Sequence, residues 1–295
     1  MQLATDEQDV LARSLRWIAA DARVRAALLT SSRADPTRTT DLLSDYDIAL
    51  LVNDVPAMAD DQGWVEGFGE PLLRVRDAET LAGSAVQHDM ILYSDGVKID
   101  YTLWPATIAE QIRRESVLPV DFDGGYRVLL DKDGLTSDWP APTHTAYVTT
   151  RPTAREVQSL IEEFWFTATY VAKNLWRGEV LTARVLLDQE VKFFIVWRML
   201  HWRIGYDREW SVAPGFFGRG LAHHLDDALW ERYRATYSGL DVEAIWHDLE
   251  WTIAFFRDVA SSVTRDLGYD YPSRLEATML RYLEAIRNLP SRIEQ

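Results

Sequence analysis

The sequence predicts an α+β fold, an N-terminal mixed sheet with helices followed by a C-terminal α-helical bundle. Three observations predict it. Short apolar runs bounded by polar, Pro- or Gly-containing turns fill the chain as far as Leu130. Among them, Asp95-Gly96 separates two β-prone runs, the strongest short-range hairpin signal. Beyond a Pro-rich segment at residues 138–143, the apolar spacing becomes helical almost everywhere. The organisation expected is therefore a sheet domain over residues 1–137, a linker over 138–152 and a helical domain over 153–295.

In chain order, residues 5–20 read as an opening helix, because Val10, Leu11, Leu15, Trp17 and Ile18 recur at helical spacing behind Thr5 as N-cap. Residues 24–30 form a short buried strand and 34–40 a polar, Pro-containing loop. Residues 46–52 are an apolar run broken only by Asp47. A short helix and turn follow at 54–63, a short strand at 71–75, and hairpin arms at 88–93 and 97–104. Pro105 at N1 opens a helix over 105–115, and 126–130 is a further strand. In the second half, residues 155–177, 181–204, 226–237, 242–267 and 273–288 each fit an amphipathic helix, and 205–220 is a Gly-rich loop.

Composition excludes several function classes. Hydrophobic content of 47% and charged content of 26% are those of a soluble globular protein. No run approaches the ~18 apolar residues of a membrane helix, and the N-terminus lacks a basic and apolar leader, so a cytoplasmic location is expected. With no cysteine there are no disulfides, thiolate-zinc sites or thiol nucleophiles. A net charge of −15 repels nucleic acid and anionic membrane and attracts a polycation, although an acidic surface also serves solubility. P-loop, dinucleotide-binding and H-E-x-x-H zinc motifs are all missing.

The chemistry-bearing stretch lies at the mouth of the 46–52 run. Asp45 and Asp47 are two residues apart, so on a strand their carboxylates point to one face. Hard divalent cations such as Mg²⁺ bind one or two carboxylates together with substrate phosphates. The plainer reading is an acidic turn. In the second hairpin arm, Ile99, Tyr101 and Leu103 share one face, and Lys98, Asp100 and Thr102 the other. Asp100 is thus a candidate third member of the acidic cluster.

At these residues the chain resembles a known family. Ser32-Arg33, the intervening loop and Ser44-Asp45-Tyr46-Asp47 are similar to the signature of the polymerase-β-type nucleotidyltransferases. A longer resemblance, to the aminoglycoside 6-adenylyltransferases that modify streptomycin, runs through residues 95–103, Val128-Leu129-Leu130-Asp131-Lys132-Asp133-Gly134, Glu163-Phe164-Trp165 and residues 170–179. One departure is visible. Where that family carries Gly-Ser before the arginine, this chain has Ser31-Ser32, and a Gly there allows unusual φ and close approach to a ligand.

The resemblance implies transfer of AMP from ATP, with Mg²⁺, to a hydroxyl of an aminoglycoside, the 6-position of streptomycin, conferring antibiotic resistance. Asp45 and Asp47 are then metal ligands, and Asp100 the general base or a further metal ligand. Ser31 and Ser32 would hold the β- and γ-phosphates, and Arg33 would pair with phosphate or with the acidic cluster. In the helical domain Lys173, Trp176 and Arg177 share a face, and the resemblance makes Lys173 a phosphate contact. Glu162, Glu163, Asp188 and Glu190 are candidates for holding cationic groups of the acceptor, with Trp176 beside them. The active site would lie in the cleft between the domains of a monomer that has no nucleic-acid or membrane partner. Other acceptors (a lincosamide, a protein side chain) and a non-catalytic nucleotide-binding module are the competing readings.

Overall fold

An Asp6-capped helix, α1 (Glu7–Ala20), opens the first unit of the computed structural model, which describes residues 6–36 and 38–290. Thr5, expected as the cap, lies outside the described residues. The Asp6 carboxylate accepts from the Gln8 amide and satisfies one of the free donors of the first turn. After it come β1 (Val24–Thr30), a 3₁₀ turn at Ser31–Arg33 and β2 (Tyr46–Val52). Then follow α2 (Val55–Asp60), β3 (Pro71–Leu81), β4 (Ser84–Tyr93), β5 (Lys98–Pro105), α3 (Ile108–Glu115), α4 (Val120–Asp123) and β6 (Tyr126–Asp131).

The six strands form one sheet in the order β3-β4-β5-β2-β1-β6, in which β2 and β5 alone run parallel. The sheet is therefore mixed, as the sequence predicts. Alternation along β2 and β5 builds two cores. Ile48, Leu50, Ile99, Tyr101 and Leu103 pack with α1 and α2 on one face. Ala49, Leu51 and Trp104 pack with Ile108, Ile112 and Phe122 on the other. Asp47 and Asp100 have the parity of the second face, at the strand ends where that core stops.

Two local readings of the sequence need correction. Pro105 ends β5 opposite Val52 instead of starting a helix, and α3 begins at Ile108. The strands expected at 71–75 and 88–93 are the outer ends of a much longer hairpin that turns at Ala82-Gly83. Both turn residues have positive φ, 49° and 77°. Such a two-residue turn matches strand twist, but its first position is an alanine, a residue that gives no turn signal.

The chain divides into compact units at Met1–Ala146 and Tyr147–Gln295. The second unit is helical: α5 (Ala154–Trp176), α6 (Val180–Val185), α7 (Trp197–Asp207), α8 (Leu221–His224), α9 (Asp227–Arg234), α10 (Val242–Leu267) and α11 (Ser273–Arg287). Thr153 and Glu156 close a capping box on α5. Phe164 of α5 stacks on Phe256 of α10 with ring centroids 3.8 Å apart, at the centre of the bundle core. The helix expected over 181–204 is interrupted: between α6 and α7 the backbone is π-helical over Leu186–Val196.

Candidate active site

Parallel pairing of β2 with β5 puts Asp47 directly opposite Asp100, and antiparallel pairing with β1 puts Thr30 on its other side. Asp45 precedes β2 by one residue and reaches the same mouth. The three carboxylates do not meet bare. Lys98, two residues before Asp100 on the same face of β5, extends its Nζ to 2.8 Å from Asp45 Oδ2 and 3.1 Å from Asp100 Oδ2. Burial lowers the affinity of this ammonium for its proton, but hydrogen bonds to both carboxylates outweigh that, and its pKa stands above the usual lysine value.

Asp47 is the strained member. Burial, then the charge of Asp100, push its carboxyl up to about 6, while a hydrogen bond from Ser31 draws it back. Burial also raises Asp100, against the pull of the Lys98 hydrogen bond, and Asp100 Oδ1 is buried with no hydrogen-bond partner. Among the described residues, no three His, Asp or Glu side chains form a ready-made metal cage. The donor set nevertheless suits a hard divalent cation. It is all carboxylate oxygen, one oxygen is orphaned, and one carboxyl is held against its charge by its neighbours.

The loop after β1 is shaped by an unusual backbone. Ser31 has φ 59°, in the left-handed region that favours glycine. This is the point at which the sequence departs from the Gly-Ser of the family it resembles. Ser32 is half-buried in the same 3₁₀ turn. Arg33 is a strut, and its side chain is only 6% exposed. Its Nε donates to the Asp45 carbonyl at 3.1 Å, Nη2 to the Ser44 carbonyl at 2.8 Å and Nη1 to Glu7 Oε2 at 2.8 Å. The guanidinium also stacks 3.9 Å above the Tyr46 ring. Arg33 thus fixes the segment that carries Asp45, and its donors are already committed.

The remaining predicted residues lie in the second unit. Lys173 on α5 sits over the Tyr170 ring at 4.5 Å, and Arg177 is the exposed C-cap of that helix. Trp176 donates Nε1–H to the Pro290 carbonyl. Glu162 and Glu163 are exposed on α5. Glu162 accepts from Gln158, and Glu163 borders a cleft with Arg155 and Arg198. Glu190 is exposed on the π-helical stretch. Asp188 is engaged in the bundle, 3.0 Å from Lys192 Nζ and 3.2 Å from Arg184 Nε. A separate cleft of about 420 Å³, with Trp197, Trp230, Tyr233 and Tyr237 among its walls, contains none of them. Lys98 is the participant that reading the sequence left without a role. The signal was its i, i+2 spacing to Asp100, which places ammonium and carboxylate on one face.

The streptomycin adenylyltransferase family profile matches residues 5–286. The chain is 32% identical over 285 residues to the aminoglycoside 6-adenylyltransferase of Bacillus subtilis (strain 168), covering 95% of this chain and 97% of that one. It is 31% identical to the enzyme of that name from Campylobacter jejuni, over 90% of this chain and 91% of the other. Among solved structures, an aminoglycoside 6-adenyltransferase from Bacillus subtilis aligns with 97% of this chain and 100% of its own, at 29% identity and a TM-score of 0.48.

Proposed function

We propose that this chain, which belongs to the streptomycin adenylyltransferase family, transfers AMP from ATP to a hydroxyl of an aminoglycoside, the 6-hydroxyl of streptomycin being the first acceptor to test. The observation that carries the reading is the carboxylate row itself: Asp47 opposite Asp100 on a parallel strand pair, with Asp45 at the mouth and the Ser31–Ser32 turn beside it. A non-catalytic nucleotide-binding module would have no use for carboxylates held this far from their ordinary protonation.

In this reading Asp45 and Asp47 would hold Mg²⁺, which when bound would neutralise triphosphate charge and relieve the repulsion among the carboxylates; Asp100 is the general base, with metal ligation its alternative role. Ser31 and Ser32 offer hydroxyl and backbone donors to the β- and γ-phosphates. Asp100 accepts the proton of the acceptor hydroxyl, whose oxygen forms a new bond to the α-phosphorus as the bond to the bridging oxygen of pyrophosphate breaks. Lys98 holds Asp45 and Asp100 together before the nucleotide arrives and offers its ammonium to phosphate afterwards. Lys173 and Arg177 supply further phosphate contacts, and the exposed carboxylates Glu162, Glu163 and Glu190, with Trp176, receive the cationic acceptor. Asp188 serves the acceptor only if it leaves its present partners. The enzyme works as a cytoplasmic monomer.

Incubation with ATP, Mg²⁺ and streptomycin, followed by mass spectrometry, tests the reading. The expected result is an acceptor heavier by one AMP, formed with release of pyrophosphate. Nucleotide turnover without adenylylation of any aminoglycoside would move the acceptor to another class.

A further inference from the structure

Two neighbouring rows of side chains cross the catalytic face of the sheet. The row through the carboxylates runs Val75, Met90, Asp100, Asp47, and the next runs Asp77, His88, Thr102, Ala49. In the second row the His88 imidazole is held from both sides. Its Nδ1 lies 3.2 Å from Thr102 Oγ1 and its Nε2 2.8 Å from Glu79 Oε1. An ionised carboxylate can only accept a hydrogen bond, so Nε2 carries the hydrogen toward Glu79. Nδ1 of the neutral ring then accepts from the Thr102 hydroxyl, which leaves the Thr102 oxygen with lone pairs and no proton to give. Burial raises the Asp121 carboxyl on α4, a protonated His88 draws it down and Glu79 pushes it up. A protonated His88 also draws Asp100 down, so the acceptor arrangement at Nδ1 belongs to the neutral ring.

Strand order indicates which side of the site the acceptor takes. Ser31 and Ser32 follow β1, on one side of β2, whereas β5 and β4 lie on the other. In-line displacement puts the attacking oxygen and the leaving pyrophosphate on opposite sides of the phosphorus. With the β- and γ-phosphates over the end of β1, the acceptor hydroxyl approaches over β5 and β4, where Thr102 and His88 stand.

We propose that His88 is a positioning residue for the acceptor, acting through Thr102. By taking the Thr102 proton it locks that oxygen as a hydrogen-bond acceptor next to Asp100, so two adjacent oxygens receive the donor groups of a hydroxyl-bearing cation. Without His88, the Thr102 hydroxyl is free to turn and donate to Asp100, occupying a lone pair that the base needs. The proposal rests on the AMP-transfer reading above.

The test compares His88→Leu, His88→Asn, Thr102→Val and the Leu/Val double variant, with initial rates measured separately against ATP and aminoglycoside. The Asn amide oxygen can accept from Thr102 much as Nδ1 does. His88→Leu is expected to lower kcat/KM for the acceptor about tenfold, the scale of one net hydrogen bond, with KM for ATP unchanged. His88→Asn should keep acceptor kcat/KM within about threefold of wild type. Thr102→Val should match His88→Leu, and the double variant should be no worse than Thr102→Val alone, because both remove one device. Wild-type acceptor kinetics in His88→Leu, an equal loss against ATP, additive losses, or no rescue by Asn would each overturn the proposal while the AMP-transfer reading stands. A wild-type enzyme that adenylylates no aminoglycoside overturns both.

Discussion

Each unit of this protein contains a knot of opposite charges, and the two knots are built to different ends. In the helical unit, Lys192 is fully buried. Its Nζ lies 3.0 Å from Asp188 and donates to the Thr236 carbonyl at 2.6 Å, 3.8 Å from the centre of the Tyr237 ring. Arg184 joins Asp188 to the buried Asp248, which also accepts from the Ser238 amide. There two cations face two carboxylates, although Asp248 Oδ1 is buried without a hydrogen-bond partner. At the mouth of β2 and β5, one half-exposed ammonium serves carboxylates that outnumber it, and Asp47 is pushed up to about 6. Matched charge in a dry interior fixes structure. Mismatched charge at a strand mouth is the pattern that marks a candidate functional site.

The largest expected effect separates activity from stability at Asp47. Asp47→Asn should lower kcat at least about a hundredfold, since it removes a carboxylate from the stabilisation of transition-state charge. The same substitution should make the fold more stable. A folded-state pKa near 6 lies above the ordinary aspartate value. As pH rises between those two values, the unfolded chain gives up the proton while the folded one keeps it, so wild-type stability falls, and the whole penalty is present above pH 6. In metal-free buffer Asp47→Asn should therefore exceed wild type by about 1–2 kcal/mol near pH 8 and equal it near pH 4. Thermal melts at the two pH values check this, and a variant no more stable at the higher pH would remove the claim of strain.

The helical knot should give the opposite signature. Lys192→Met leaves the buried Thr236 carbonyl without its donor and Asp188 with Arg184 alone, and should cost about 1–3 kcal/mol. Turnover per folded molecule should be little changed. Urea denaturation monitored alongside activity reads both quantities. Asp188→Asn sharpens the contrast, because a structural Asp188 costs stability and leaves acceptor KM alone. Raised acceptor KM with an unchanged midpoint would instead make it an acceptor ligand.

The contrast was only partly legible in the sequence. The faces of the candidate site could be read, because i, i+2 spacing in Asp45/Asp47 and Lys98/Asp100 fixes them without any knowledge of the fold. What joined those pairs was the β2–β5 pairing, a long-range contact that spacing does not encode. Asp188 looked like any other acid on a helix. Its role depends on Arg184 and Lys192 at i±4 and on Asp248, far along the chain. The π-helical turn under it was also hidden, since its apolar pattern differs little from that of an α-helix. The long β3–β4 hairpin was invisible because β3 is largely exposed and shows little alternation of buried and exposed positions.

Lys98 gives a smaller and conditional effect. Lys98→Met takes the ammonium away from Asp45 and Asp100, but the pair is well exposed, so the loss in metal-free buffer should be about 0.2–1 kcal/mol. A cation that binds the folded site stabilises by mass action. Saturating Mg²⁺ should therefore close the gap between variant and wild type. A gap that stays constant from chelator to millimolar Mg²⁺ would separate Lys98 from the cation site.

The smallest effect concerns Ser31, where backbone and side chain can be told apart. Its φ of 59° costs a non-glycine residue about 1 kcal/mol, and its hydroxyl bonds Asp47. Ser31→Gly removes the strain, loses the hydroxyl and adds freedom to the unfolded chain, so stability should stay within about 1 kcal/mol of wild type. Ser31→Ala keeps the strain and loses the hydroxyl, so it should be the less stable of the two. Both leave Asp47 without the bond that draws its carboxyl down, which places that carboxyl higher still. If the hydroxyl itself holds phosphate, both variants should raise KM for ATP equally, by about three- to tenfold, despite their different stabilities. A KM raised in Ser31→Ala but normal in Ser31→Gly would show that the backbone of the turn, and not the serine oxygen, meets the nucleotide.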